Sequence, residues 1–210
     1  MGAIRKNRLG TKNRTRKQSN RSKSPCPLFP EIERILITED QIAGRVRRLT
    51  RQLQKDFAGR DLVIVSLLNG TVMFLADLVR HLSLPLRLDF IGVSSYGTGT
   101  ESGELVFTKQ LRLDVRGRDV LVVDDILDTG RTLKRVLAIL RGHKPRRLKV
   151  CVLLEKKARR TEKVRADYVG FQIPDLFVVG YGLDFAECYR NLPFVGVLRP
   201  EVINPSPDKN

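Results

Sequence analysis

The chain has 210 residues, with 39 Lys or Arg against 23 Asp or Glu and a formal net charge of +16. That length fits one domain with extensions and a core of useful size, and no apolar run approaches the roughly 20 residues that a membrane helix needs. Three scattered cysteines, Cys26, Cys151 and Cys188, supply neither a disulfide framework nor a zinc site, and with no secretory signal evident a cytoplasmic location is expected.

Residues 1–30 read as a basic arm. Positions 1–24 carry nine Lys or Arg and no acid, and the first carboxylate is Glu31. Such composition predicts disorder in isolation. The expected role is a solvated tail. Its functional alternative is contact with nucleic acid through phosphate pairing, for which this arm is the candidate segment.

Pro25, Pro27 and Pro30 end the arm and open a folded domain over residues 31–200, with 201–210 as a tail. Residues 35–37 predict a short strand. Thr38 and Gln41 form a capping box for a helix carrying Ile42, Val46, Leu49 and Leu53 at helical spacing, closed by Gly59. Residues 62–68 predict a buried strand, then a turn at Asn69-Gly70-Thr71 and a helix through Val72, Leu75, Leu78, Val79 and Leu82. That turn is either an ordinary strand-to-helix connection or an anion-binding nest. His81 has no companion at ligand spacing and reads as a surface residue.

Residues 86–93 predict another strand. Residues 94–104, SSYGTGTESGE, then lie between two strands of one domain, which favours a mobile lid over a linker. Residues 105–111 resume a strand pattern that pairs back as a hairpin. Residues 148–154 predict a further buried strand with Cys151 in the core, and shorter strands are expected at 168–171, 177–179 and 195–198. Strands alternating with helices imply a mostly parallel, doubly wound α/β sheet.

The stretch 119–133, DVLVVDDILDTGRTL, organises the chain. Val120 to Val123 suit a central strand buried on both faces. Asp124 and Asp125 follow where that strand would emerge. Asp128-Thr129-Gly130-Arg131-Thr132 then turns into a helix bearing Leu133, Val136, Leu137 and Leu140 on one face. Helix caps explain one aspartate easily, but not three followed by Thr-Gly-Arg-Thr. The free N–H groups of a helix start suit a phosphate, and no G-x-x-x-x-G-K-[ST] loop is present. An anion cradle beside carboxylates suits a phosphorylated sugar.

This stretch resembles the phosphoribosyl diphosphate signature of the type I phosphoribosyltransferases. Lys156 after a strand, the run DYVGFQIPDLFVVGYGLDF at 167–185, and Ser94-Ser95-Tyr96-Gly97 are similar to the hypoxanthine and hypoxanthine-guanine branch. The resemblance covers roughly residues 31–200. It implies the family's sheet with a small hood from the chain ends, a magnesium cofactor and a homo-oligomer, dimer or tetramer.

On that resemblance, Asp124 and Asp125 would hold the ribose hydroxyls directly or through magnesium-bound water, and Asp128 would serve as general base or acid at purine N7. Thr129, Gly130, Arg131 and Thr132 would wrap the 5′-phosphate. Lys156 would donate to the 6-oxo group, Phe177 would stack on the ring, and the backbone of Val178 would meet its edge. Leu68, Asn69, Gly70 and Arg190 would contact pyrophosphate, Asp184 would ligate magnesium together with Asp124 and Asp125, and Ser95 and Tyr96 would belong to the lid. Many relatives have Glu-Asp where this chain has Asp124-Asp125, and one methylene less shortens that reach. The implied activity is purine salvage, using hypoxanthine and also guanine. Two alternatives remain open at this point: a transferase preferring xanthine, and an RNA-binding regulator of the same fold.

Overall fold

The computed structural model describes residues 29–95 and 105–204. Its elements run β1 (Ile32–Ile37), α1 (Glu39–Asp56), β2 (Leu62–Leu68), α2 (Val72–Arg80), β3 (Leu86–Ser95), β4 (Leu105–Lys109), β5 (Asp119–Leu127), α3 (Arg131–Gly142), β6 (Arg147–Lys156), β7 (Tyr168–Ile173), β8 (Val178–Val179), β9 (Val195–Leu198) and α4 (Pro200–Ile203). The six-stranded sheet has the order β4-β3-β2-β5-β6-β7. All its pairs are parallel except the β3–β4 hairpin at one edge.

The apolar runs become central strands because both faces are covered. Leu62 and Ile64, Leu121 and Val123, and Cys151 and Leu153 face the layer of α1 and α2. Val63 and Val65, Val120 and Val122, and Val150 and Val152 face α3. Alternation along a strand therefore feeds two cores at once, which is why apolar residues occupy consecutive positions. The capping box at Thr38 and Gln41 is present, and α1 buries Ile42, Val46, Leu49 and Leu53. None of the helices among the described residues is long and apolar enough to cross a membrane.

The chain ends build the hood. Strands β1, β9 and β8 form an antiparallel three-stranded sheet, with Ile32, Val179, Leu192 and Leu198 buried in its own cluster. Phe29, Val202 and Ile203 pack against that cluster. The expected tail from 201 is accordingly shorter, because α4 runs on to Ile203 and apolar contact holds it there. Other bounds shift as well. Strand β1 begins at Ile32, β4 ends at Lys109, and Phe177 lies just outside β8.

The largest difference concerns β5, which continues through Asp124 and Asp125 to Leu127. Its ladder with β6 persists to Leu127↔Glu155, whereas its ladder with β2 stops at Ser66↔Val123. The chain leaves β2 through α2 towards β3 and leaves β5 through α3 towards β6, so the two connections diverge here. A crevice at the carboxyl ends of β2 and β5 follows from this switch of direction.

At the opposite end of β5, Asp119 is buried and accepts two hydrogen bonds from Arg146, both at 2.8 Å. That guanidinium holds the carboxyl below its usual range, against the opposing effect of burial. The stabilisation is complete above the ordinary carboxylate value of about 3.9 and is lost as pH falls through the lowered folded value. Arg146 is half exposed, so Asp119→Asn should cost about 1–2 kcal/mol at neutral pH. Urea unfolding should show that gap narrowing below pH ~4; a gap that is constant with pH would remove the ion pair as its cause.

Candidate functional site

Two adjoining clefts open at the switch point. One, of about 250 Å³, is lined by Leu67, Leu68, Val93, the stretch from Asp124 to Gly130, Thr132 and Leu133. The other, of about 490 Å³, is lined by Leu68, Asn69, Gly70, Asp125, Asp184 and Arg190 among others. Asp125 and Leu68 border both.

Asp124 and Asp125 project from the part of β5 that has outrun β2. Thr71 Oγ1 donates to Asp124 Oδ1 at 3.4 Å, and the Asp125 N–H donates to the same oxygen at 3.0 Å. The Ile126 N–H donates to Asp125 Oδ1 at 2.7 Å. Neither carboxylate forms an ion pair with Lys or Arg among the described residues. Burial pushes both pKa values up, Asp124 well above the usual range, and the neighbouring charge of Asp125 adds to the shift of Asp124. Two hard-oxygen donors whose charges lack a close cation suit a divalent ion such as magnesium, which binds through one or two carboxylates plus water and phosphate.

The loop after β5 is shaped for an anion. Gly130 sits at φ 86, a left-handed conformation that favours glycine, and starts α3 without a side-chain cap. The first-turn N–H groups of Thr132 and Leu133, both lining the smaller cleft, have no intrahelical acceptor. The Arg131 N–H is held by Thr129 Oγ1 at 3.4 Å. The Arg131 side chain is exposed and outside the cleft lining, whereas Thr129, Gly130 and Thr132 line the cleft. The loop is braced from behind, where the Thr161 and Glu162 N–H groups both donate to Thr129 O at 3.1 Å.

Asp128 and Lys156 meet at the ends of β5 and β6. Lys156 is buried, and its Nζ lies 3.9 Å from Asp128 Oδ2 and 3.7 Å from Asp175 Oδ1. Arg159 bridges the same two carboxylates at 3.8 and 3.9 Å. Asp128 Oδ1 is buried with no hydrogen-bond partner. Such an orphaned acceptor costs stability unless a ligand satisfies it. Phe177 is 40% exposed and makes an edge contact with Phe185, at 5.5 Å between centroids and 89° between planes. Leu198 donates to Phe177 O and Val178 opposes Val197, so alternation turns the Val178 N–H and C=O away from β9 on an edge strand.

Asp184 and Arg190 face the larger cleft as a pair. Arg190 Nη1 lies 2.9 Å from Asp184 Oδ1 and donates to Gly182 O at 3.0 Å, and Nη2 reaches Glu187 Oε2 at 3.0 Å. The hood loop meets the β2–α2 loop closely, because a Cβ on Gly70 would strike Asp125 and one on Gly182 would strike the Gly70 carbonyl. Asp124, Asp125 and Asp184, expected to share a metal, do not form one ready-made cluster among the described residues. Asp125 and Asp184 instead border the same cleft.

Tyr96 and most of the expected lid lie outside the described residues, and only the backbone pairings of Ser94 with Val106 and of Ser95 with Leu105 are described. Sequence reasoning missed Arg159, Arg160 and Asp175. The pattern KKARR after a buried strand was the one available signal for Arg159 and Arg160.

The model of the phosphoribosyl transferase domain matches residues 35–186. A hypoxanthine-guanine phosphoribosyltransferase of Staphylococcus aureus is 46% identical over 173 residues, covering 82% of this chain and 97% of that protein. A bifunctional protein TilS/HprT of Listeria monocytogenes is also 46% identical, but this chain spans only 27% of its length. A hypoxanthine phosphoribosyltransferase structure from S. aureus superposes with a TM-score of 0.79 at 45% identity, covering 83% of this chain and 96% of the other. By extent of likeness in both sequence and fold, the chain belongs to the phosphoribosyltransferase family, in its hypoxanthine-guanine branch.

Proposed function

We propose that the chain transfers the phosphoribosyl group of phosphoribosyl diphosphate to hypoxanthine, and also to guanine, giving the purine nucleotide and pyrophosphate with magnesium as cofactor. The observation that carries this reading is the orphaned Asp128 Oδ1, a buried acceptor in a cleft whose other end is an anion-binding helix start. Two free thiols, buried Cys151 and exposed Cys188, fit a reducing cytoplasm.

The Thr129–Thr132 main chain would hold the 5′-phosphate, and Asp124 and Asp125 would orient the ribose hydroxyls. Lys156, buried beside Asp128, would donate to the purine 6-oxo group, and the open face of Phe177 would stack on the ring. The unpaired Val178 main chain would read the ring edge. As a ring nitrogen bonds to C1, the C1–oxygen bond to pyrophosphate breaks and the purine proton passes to Asp128. The centre at C1 is oxocarbenium-like, as in glycoside chemistry. Asp124, Asp125 and Asp184 would hold magnesium, which when bound offsets charge on the departing pyrophosphate. Arg190 would supply the protein's own cation there. The Asn69–Gly70 loop would complete that subsite. A dimer or tetramer belongs to the same reading, and sedimentation measures it.

The direct test is nucleotide formation from hypoxanthine, guanine and xanthine with phosphoribosyl diphosphate and magnesium. Activity confined to xanthine would overturn the base assignment, and no activity with any purine would overturn the reaction. Asp128→Asn should lower kcat by about 10²–10⁴ while leaving substrate affinity nearly intact; near-normal turnover would remove Asp128 from proton transfer. Lys156→Gln keeps a neutral donor, so it should raise KM for the 6-oxopurine and spare that for phosphoribosyl diphosphate. Equal losses for both substrates would instead indicate a general folding defect.

A further inference from the structure

The residues assigned to the purine step, Asp128 and Lys156, stand just beyond or at the last residue of two neighbouring strands. The β5–β6 ladder ends at Leu127↔Glu155, so strand pairing no longer sets their separation. Arg160 occupies that point. Its Nε donates to Asp128 O at 3.0 Å, and its Nη2 reaches Leu127 O at 3.3 Å, Lys156 O at 3.4 Å and Glu155 Oε1 at 3.3 Å. Its Nη1 donates to Val164 O at 2.6 Å. Four of these five acceptors are main-chain carbonyls, so the guanidinium fastens backbone more than it cancels charge. Its Cδ also lies 3.3 Å from where a Cβ on Gly130 would stand, which packs the side chain against the anion loop.

We infer that Arg160 is a positioning residue for the transfer, holding Asp128 in register with Lys156 and fixing the 5′-phosphate loop beside them. This rests on the roles proposed above for Asp128 and Lys156. A planar fork of donors bridges several carbonyls at once. A lysine, with one compact ammonium, cannot reproduce that geometry. The proton acceptor and the 6-oxo donor must address one ring together, and loss of the brace lets the two strand ends drift apart. Small misplacements of this kind weigh heavily on rate.

Steady-state kinetics of the full chain test the inference. Arg160→Ala should lower kcat by about 10–100-fold and raise KM for both the base and phosphoribosyl diphosphate. Arg160→Lys should remain impaired. Guanidinium ion, far below denaturing concentrations, should restore part of the activity of Arg160→Ala and none of Asp128→Asn. If the alanine variant is unstable, Arg160→Met keeps the stem against Gly130 and is measured in the same way. Normal kcat and KM in a folded Arg160→Ala or Arg160→Met, full activity in Arg160→Lys, or no recovery with guanidinium would each overturn the positioning role. Failure of the parent protein to form nucleotide would instead defeat the proposed reaction itself.

Discussion

Strand β5 keeps its partner on one side after losing it on the other, and the site depends on that asymmetry. Its pairing with β2 ends at Val123, while its pairing with β6 runs on to Leu127. The four residues between are held straight by β6 and open towards the crevice. Asp124 and Asp125 thus stand on a rigid strand rather than on a loop, so their carboxylates are preorganised. The same extension delivers Asp128 next to the end of β6, where Lys156 waits. One mismatch in ladder length therefore positions the sugar end and the base end of the cleft together.

The charges in the site are arranged around what they lack. Asp124 and Asp125 are buried side by side with only Thr71 and main-chain donors to satisfy them. Burial raises the pKa values of both, and the charge of Asp125 adds to the shift of Asp124. At the base end the balance is different, because two carboxylates and two cations alternate, Asp128, Lys156, Asp175 and Arg159. A neutral ring can enter such a set without leaving a bare charge behind. The two ends suit different cargo, a polyanion with its metal and an uncharged base.

The core strands were legible because they are buried on both faces, which leaves consecutive apolar residues at 62–65, 120–123 and 150–154. The capping box at Thr38 and Gln41 was legible for a local reason, since its partners sit three residues apart. The course of β5 through Asp124 and Asp125 was not, because acidic residues read as the end of a strand unless the ladder beside them is known. Arg160 and Asp175 were missed for a related reason. Their partners lie far along the chain or on another element, and one basic residue in KKARR looks like the next. Motif likeness singled out Lys156 and Phe177 where composition offered only a solvated charge and a core aromatic. Arg131, which the same likeness put in the loop, has an exposed side chain outside the cleft lining.

The contact between Gly70 and Gly182 ties these parts together in descent as well as in space. One belongs to the core loop after β2 and the other to the hood; a side chain on Gly182 would strike the Gly70 carbonyl, and one on Gly70 would strike the Asp125 carboxylate. A hood of different make could not simply be grafted onto this sheet, since it would have to arrive with its own bare backbone at the same spot. The small antiparallel cap and the parallel core are therefore one inheritable unit. A side chain at Gly182 would require the seam between the two sheets to open.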